Sequence, residues 1–381
     1  MTSTTPDGPG NAGNAGKTGI AERAETGETG ETGETADDSV DSTRMSLVMG
    51  FALAQVTGTM ARLGVPDRLA GRPATATELA RECGADPGRL ARLLRAAAAL
   101  GLLSVSDGVH HLTPLGEEFR AGRPSRTIVE LYGDPAVWEA FGALEDAVRG
   151  GAPAFDQVHG TSFFLACEED ARLGDRFTAG MALSTSVMIP AIVDHCDVGG
   201  FRHVVDVGGG DGALLAALLH AHPALEGTLY ERPTALRAAE HTLTGAGVAG
   251  RCALVEGDFF TSVPAGGDLY VLKNVLHDWD DEDCVRVLRH CSDAVAGSGG
   301  SVLVPTLLMP TAEEIGSARD ALMVAMSDVE MMVLTPGRER TLAEHEELFA
   351  RSGLRLTSVV ALPGLAHHAV LFAAPEPGAD G

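Results

Sequence analysis

The sequence predicts two folded parts, a helical winged-helix-like domain followed by an α/β domain with a mainly parallel, doubly wound sheet. Three observations predict it. Short apolar runs alternating with helical stretches begin abruptly at Phe201; a glycine-rich loop, Asp206 to Gly212, joins the first run to the first helix; and Thr75 to Leu112 reads as helix, turn, helix and hairpin. Alternating strand and helix forces a parallel sheet covered on both faces, because each crossover lays a helix on the sheet. A length of 381 residues also exceeds what one core usually fills.

Taken in order, residues 1–41 are Gly, Thr, Glu, Ser and Asp with almost no apolar side chains, and carry a Glu-Thr-Gly near-repeat from Glu25 to Thr35. Such a segment cannot bury enough surface to offset its ordering entropy, so a disordered tail is expected. Met45 to Leu63 turns apolar and helical, and Gly64 with Pro66 breaks it before a second amphipathic stretch. Thr77, before Glu78-Leu79-Ala80, opens a further helix; Gly84 to Pro87 breaks it, and Leu90, Leu93, Leu94 and Leu100 then recur at helical spacing. Leu102 to Leu112 alternates as a small hairpin, completing the winged-helix outline over 42–125. Helical character fills 126–200, interrupted at Gly150 to Pro153 and near Gly160, and the α/β domain spans 201–375. Its strands are expected at His203 to Val207, Thr228 to Tyr230, Ala253 to Val255, Leu269 to Leu272 and Ser301 to Pro305.

Composition narrows the partners. Hydrophobic residues make up 45% of the chain and charged residues 21%, the balance of a protein with real cores. The formal net charge of -25 repels nucleic-acid phosphates and anionic lipid, whose binding needs clustered Lys and Arg. A winged helix invites a DNA-reading interpretation, but only Arg89, Arg92 and Arg95 are basic near its second helix, so a packing or dimerising module fits better. No uninterrupted apolar run reaches about 18 residues and no basic leader opens the chain, so neither a membrane span nor a signal segment is expected. The six cysteines are scattered without a C-x-x-C pair, as in a cytoplasmic protein with free thiols. Acids at ligand spacing are missing around His110-His111, His220 with His222, and His367-His368, and no metal site is expected.

The chemistry starts at the glycine loop. Val204-Val205-Asp206-Val207 leads into Gly208-Gly209-Gly210-Asp211-Gly212 and a helix from Ala213. A dinucleotide fingerprint spaces its glycines G-x-G-x-x-G; here they fall at 208, 210 and 212, the last one residue early. Without Cβ atoms the loop lets a ligand lie on the backbone, and Asp206 can orient the loop or meet a cationic group. Glu231, at the tip of the next strand, stands where the ribose hydroxyls of an adenosine-containing cofactor donate. Gly257-Asp258-Phe259-Phe260, after the third strand, offers an acceptor for an adenine amino group beside an aromatic wall.

Together with Leu272-Lys273-Asn274-Val275-Leu276-His277-Asp278-Trp279, these motifs make the chain resemble the Rossmann-like class I methyltransferases of the caffeic acid and hydroxyneurate-like O-methyltransferase family, above all bacterial members that modify aromatic natural products. The resemblance runs from about Met45 to Ala373. It implies a homodimer formed through the N-terminal module, S-adenosylmethionine as cofactor, and methylation of a hydroxyl on an aromatic or polyketide-type small molecule of secondary metabolism such as antibiotic biosynthesis. It places Gly208 against the methionine part of the cofactor, Glu231 on the ribose, Asp258 and Phe259 at the adenine, and Lys273 on the cofactor's polar groups. Met181 and Thr185 fall where the family lines the pocket near the methyl donor. Phe163, Phe164, Met331 and Met332 are expected to shape the acceptor pocket.

His277 is the expected general base. An imidazole of pKa about 6.5 cannot fully ionise a phenol of about 10, so proton removal should be concerted with attack. The resemblance further implies two acids that orient this histidine. One matches Glu339 in Gly337-Arg338-Glu339-Arg340-Thr341; the position of the other, by register with Val302 to Pro305, holds Thr306, a hydroxyl that cannot stabilise an imidazolium as a charge. That departure keeps two alternatives open: an enzyme that binds S-adenosylmethionine yet catalyses a hydroxylation or pericyclic step, and a cofactor-sensing regulator built on the Thr75 to Leu112 module.

Overall fold

The structure is a computed structural model that describes residues 36–311 and 313–376. Two units divide the chain, Met1–Gly50 and Phe51–Gly381. In the first, residues 1–35 of the expected tail lie outside the described residues. The remainder of that tail opens helix α1 (Ala36–Arg62), which begins nine residues before Met45 because backbone hydrogen bonds, and not apolar side chains, define where a helix starts. Everything below concerns the second unit.

After α1 come α2 (Val65–Gly71), β1 (Ala74–Thr75), α3 (Ala76–Cys83), α4 (Pro87–Ala99), β2 (Leu103–Ser106) and β3 (Val109–Leu112). The helix that Thr77 was expected to open is capped by Thr75 instead. The Thr75 backbone N–H donates to Glu78 Oε2 at 2.8 Å and the Glu78 N–H to Thr75 Oγ1 at 3.3 Å, a reciprocal box that satisfies two otherwise orphaned donors. The strands pair in the order β1-β3-β2, and Leu79, Leu90, Leu94 and Leu102 pack with Met60 into one small core.

Seven helices follow: α5 (Pro114–Glu117), α6 (Pro124–Tyr132), α7 (Pro135–Gly142), α8 (Leu144–Gly150), α9 (Ala154–His159), α10 (Phe163–Glu169) and α11 (Ala171–His195). By length and composition α11 is apolar enough to cross a membrane. Here it buries Leu173, Gly180, Thr185, Met188 and Ile192 and packs against α6, α10 and the helix that follows β4.

The α/β part runs β4 (His203–Val207), α12 (Ala213–Ala221), β5 (Glu226–Glu231), α13 (Pro233–Gly245), β6 (Cys252–Glu256), β7 (Leu269–Val271), α14 (Asp281–Ala296), β8 (Ser301–Leu307), α15 (Ala318–Leu334), α16 (Leu342–Arg351), β9 (Leu354–Ala361) and β10 (His368–Pro375). The sheet order is β6-β5-β4-β7-β8-β10-β9. The first five strands are parallel, and β10 enters antiparallel between β8 and β9. These last two strands are absent from the strands expected above. Successive residues feed opposite faces: Val204, Leu303 and Val370 join the core beneath α11 and α12, while Val205, Val304 and Leu371 join the core beneath α14 and α16. The order reverses at β4, with β5 on one side and β7 on the other, and a crevice opens beyond their carboxyl ends.

Candidate active site

Backbone builds the first half of that crevice. β4 ends at Asp206-Val207, and the chain turns through left-handed Gly208 (φ 69°), Gly210 (φ 59°) and Gly212 (φ 73°) into α12. Gly209 crosses directly over the carboxylate before it: a Cβ there would lie 2.4 Å from both Asp206 Oδ2 and Leu229 Cδ1. At Gly208 a Cβ would stand 3.1 Å from Val275, so the absent side chain leaves a shelf between Val275 and Phe259. Glu231, at the tip of β5, holds the loop, accepting from the Gly210 N–H at 3.0 Å and from the Arg232 N–H at 2.6 Å. Asp258 accepts from the Phe260 N–H at 2.9 Å, which sets Phe259 edge-on to Phe260. Gly208 to Asp211, Glu231, Asp258, Phe259, Lys273 and Thr185 all line one cavity of about 470 Å³.

Two ionisable groups are buried here, Lys273 in the cavity lining and Asp206 beneath the glycine loop. Asp206 is 1% exposed and neither carboxylate oxygen has a hydrogen-bond partner; burial pushes it up to about 7 against the pull of Lys273. Lys273 is also buried and is held below its usual value by desolvation, against the opposing charges of Asp206, Asp278 and Asp211. The rim carries a pair that sequence reasoning missed: Arg232 reaches across to Glu168 at 2.9 Å and 3.2 Å and lies 3.8 Å from Asp258. Glu168 comes from α10, far from the motif in sequence, so no local signal marks the pairing.

Side chains build the second half, a cavity of about 180 Å³ lined by Phe163, Met181, Met331, Tyr132, His277, Glu330 and Glu339 among others. Phe164, Phe177, Met181, Asn274 and Asp278 line both cavities, which therefore meet at their side chains. Phe163 sits edge-on to Phe155, Phe164 and Phe177, and Phe164 stacks on Trp279 at 5.3 Å. Met332 is a correction: it packs into the helix cluster around Phe155 and Leu173. Met331 and Glu330 line the cavity, and Met332, about 100° further round the helix from Met331, does not.

His277 rides on a short turn, Leu276–Asp278, that follows β7. Its Nδ1 donates to Glu339 Oε1 at 3.0 Å, since an ionised carboxylate can only accept, and Nε2 lies 3.7 Å from Asp278 Oδ1. Burial alone would lower this imidazole, but Asp278, Glu339 and the hydrogen bond outweigh it and raise it to about 9. Glu339 is desolvated too, yet the His277 charge and donation from Ser327 Oγ at 2.7 Å hold it below the usual carboxylate value. Its own N–H donates to Asp328 Oδ1 at 2.9 Å, while Oε2 stays without a partner.

Arg340, the largest fully buried side chain, fixes the turn. It donates to the Leu276 carbonyl at 2.7 Å, to the Trp279 carbonyl at 2.8 Å and to Asp281 Oδ1 at 3.0 Å. Gly337 lets the same segment lie flat on the turn, because a Cβ there would fall 1.9 Å from the His277 carbonyl. Asn274, just before, holds φ 51°, uncommon for a side chain larger than glycine and typical of site residues. Thr306 is buried in β8, lines neither cavity and donates to the Leu307 carbonyl at 3.3 Å, so no group from β8 orients His277. The acids facing His277 are Glu339, Asp278 and, through charge, Glu330.

Known proteins match this arrangement. Residues 141–355 match the model of an O-methyltransferase domain and residues 45–121 that of an O-methyltransferase dimerisation domain. Among relatives, the O-demethylpuromycin-O-methyltransferase of Streptomyces alboniger is 38% identical over 335 residues, 87% of this chain and 88% of the relative. The aclacinomycin 10-hydroxylase of Streptomyces purpurascens is 34% identical over 304 residues, 78% of this chain and 80% of that one. The solved O-methyltransferase of neocarzinostatin biosynthesis, in complex with S-adenosylmethionine and 2-hydroxy-5-methyl naphthoic acid, superposes with a TM-score of 0.74 at 34% identity, covering 85% of this chain and 96% of that one. With both family models matched in order over one fold, the chain belongs to the O-methyltransferase family that carries its own dimerisation domain.

Proposed function

We propose that this chain, as a homodimer, methylates a hydroxyl of an aromatic or polyketide-type small molecule in antibiotic or other secondary metabolism, with S-adenosylmethionine as methyl donor and His277 as general base. The observation that carries it is the meeting of the two cavities at Met181 and Asp278, with the His277–Glu339 pair on the far side. Residues 42–125 serve as the dimerising module, 126–200 as the wall of the acceptor pocket and 201–375 as the cofactor domain, in a cytoplasm that keeps the six free cysteines reduced.

The first cavity suits this cofactor on its own terms. A glycine shelf, a strand-tip carboxylate at Glu231, an aromatic edge at Phe259 beside Asp258 and the further carboxylate of Asp211 answer a ribose, an adenine and a cationic amino group, with the unpartnered Asp206 carboxylate beneath the loop adding negative charge. Gly208, Glu231, Asp258, Phe259 and Lys273 would hold it; when bound, it supplies an electrophilic methyl on a sulfonium. Glu339 holds the Nδ1 proton, which leaves Nε2 to take the proton of an acceptor hydroxyl as the oxygen attacks. Raised to about 9, His277 comes close to a phenol of about 10, so the transfer runs nearly level once the imidazole is neutral.

Incubation of the parent and His277→Ala with labelled S-adenosylmethionine and a panel of phenols tests this. A loss of roughly 10²–10⁴ in rate is expected for the variant, and undiminished transfer would remove His277 from the role of base. A second reading, a non-methylating step such as hydroxylation, is favoured by Thr306 standing where an acid is expected. Product masses raised by an oxygen in place of a methylene would select it.

A further inference from the structure

Most of the acceptor cavity is aromatic or aliphatic, yet three carboxylates line it: Asp278, Glu330 and Glu339. No Lys or Arg lines it. His277 is its one histidine with a raised pKa, since burial holds His368 below the ordinary imidazole value. The walls therefore set three acids against one imidazolium, with burial raising Asp278 to about 6 and Glu330 above the ordinary carboxylate value.

Glu330 stands apart from the other two acids. It sits on α15, and Tyr132, from α6, donates to its Oε2 at 2.6 Å. Burial keeps the Tyr132 phenol far above its ordinary value, so it remains a donor and fixes where the carboxylate points. Among the described residues nothing donates to Glu330 Oε1. Glu339, 4% exposed, likewise leaves Oε2 without a partner. A ligand that closes this cavity strips water from Glu330 Oε1, and a charged acceptor buried without a partner is costly. A plain aromatic ring would leave that cost standing, and an anionic ring would add repulsion from three carboxylates. A ring bearing an ammonium group would remove both.

We propose that Glu330, positioned by Tyr132, is the specificity-determining residue of the acceptor cavity, and that it selects a phenolic acceptor carrying a cationic amino group. The inference rests on the reading of this cavity as the acceptor site. The amino group donates to Glu330 Oε1 while the hydroxyl faces His277. A cavity of roughly 150 Å³ takes one benzene ring. At about 180 Å³ this one therefore suits a single substituted ring at the reacting end.

Three ligands of matched shape test it: 3-(aminomethyl)phenol, 3-ethylphenol and 3-hydroxyphenylacetate, each titrated calorimetrically into the full-length dimer. Charge-assisted hydrogen bonds contribute about 1.5–3 kcal/mol, so the parent should bind the amine about tenfold or more tighter than the ethyl compound, and the carboxylate weakest. Glu330→Leu should reverse the order of the first two. Glu330→Gln, equal in size, should reduce the preference without reversing it, and Tyr132→Phe should weaken it part way. An amine bound by the parent no tighter than 3-ethylphenol, including binding of neither, overturns the proposal, as does a preference that survives Glu330→Leu. Labelled methyl transfer followed in the same samples separates the two readings. Amine preference without transfer would leave this one and remove the methyltransferase role; transfer to 3-ethylphenol without amine preference would do the reverse.

Discussion

The two cavities are made of different material. The cofactor half rests on backbone and strand tips, namely three left-handed glycines, one carboxylate at the end of β5 and the loop after β6, all within residues 206–279, with α10 and α11 closing its other side. The acceptor half is side chains from α6, α10, α11 and α15, set around a turn pinned by Arg340. A backbone site tolerates no substituent but holds a constant ligand; a side-chain site can be re-lined without disturbing the sheet. The difference teaches where a fixed cofactor and a variable acceptor are each recognised.

Substitution in each half should break one function and spare the other, and the largest effects are expected here. Gly209→Val places a Cβ against Asp206 and Leu229 and should abolish both cofactor binding and methyl transfer. His277→Ala should cut transfer by roughly 10²–10⁴ while leaving the affinity for S-adenosylmethionine within a few-fold. Equilibrium dialysis with labelled cofactor reads the contrast. Equal loss of binding in both variants would show that the halves are not separable.

Next in size is Arg340→Met, which removes the guanidinium donors from the Leu276 and Trp279 carbonyls and leaves them the weaker Cys284 thiol, at 3.0 Å and 3.5 Å. Hydrogen bonds from a charged donor contribute about 1.5–3 kcal/mol each, so unfolding in urea should show a loss of a few kcal/mol at unchanged slope. Because the same carbonyls fix the turn, kcat should fall more than KM rises. A variant as stable as the parent would mean that the turn holds itself.

The legibility of the sequence follows the same division. Strand, glycine turn and helix are contiguous, and Gly208, Glu231 and Asp258, singled out by local pattern, line one cavity together with Lys273, which only the family resemblance indicated. Tyr132, Ser327, Glu330 and Arg340 were not singled out, because only tertiary packing brings α6, α15 and the segment after α15 to His277. Helical phase explains Met332: without a known cavity direction, two adjacent methionines cannot be told apart. Strand β9 escaped because its exposed positions carry Thr357, Ser358 and Val359 in no clean alternation, whereas β10, Ala369-Val370-Leu371-Phe372, had the signal of a buried strand.

A smaller effect sharpens the acceptor half alone. Removing the negative charge of Glu339 withdraws one of the groups that raise His277, so in Glu339→Gln the imidazole should lose its proton at lower pH. The rising limb of the rate against pH should then move down by about one unit. A limb that stays in place would show that another group titrates there.

The smallest effects set the halves side by side through stability. Asp206 has an ordinary value of 3.8 and about 7 in the folded protein; His277 goes from 6.5 to about 9. In both cases the folded state holds its proton longer than the unfolded one, so each contribution is full at low pH and is lost as pH rises, in adjacent windows. For Asp206 the loss runs from about 4 to about 7, as an unpaired buried carboxylate is forced to ionise; for His277 it runs from about 6.5 to about 9, as the imidazolium paired with Glu339 is discharged. Melting temperatures between about pH 4 and pH 10 should therefore show Asp206→Asn gaining on the parent up to about 7 and holding a constant margin above. His277→Gln should trail the parent at pH 6 and close the gap by about 9. A margin for Asp206→Asn that does not change with pH would mean that its carboxylate is hydrated in solution, and the cofactor half would lose the buried charge that marks it for a cationic ligand.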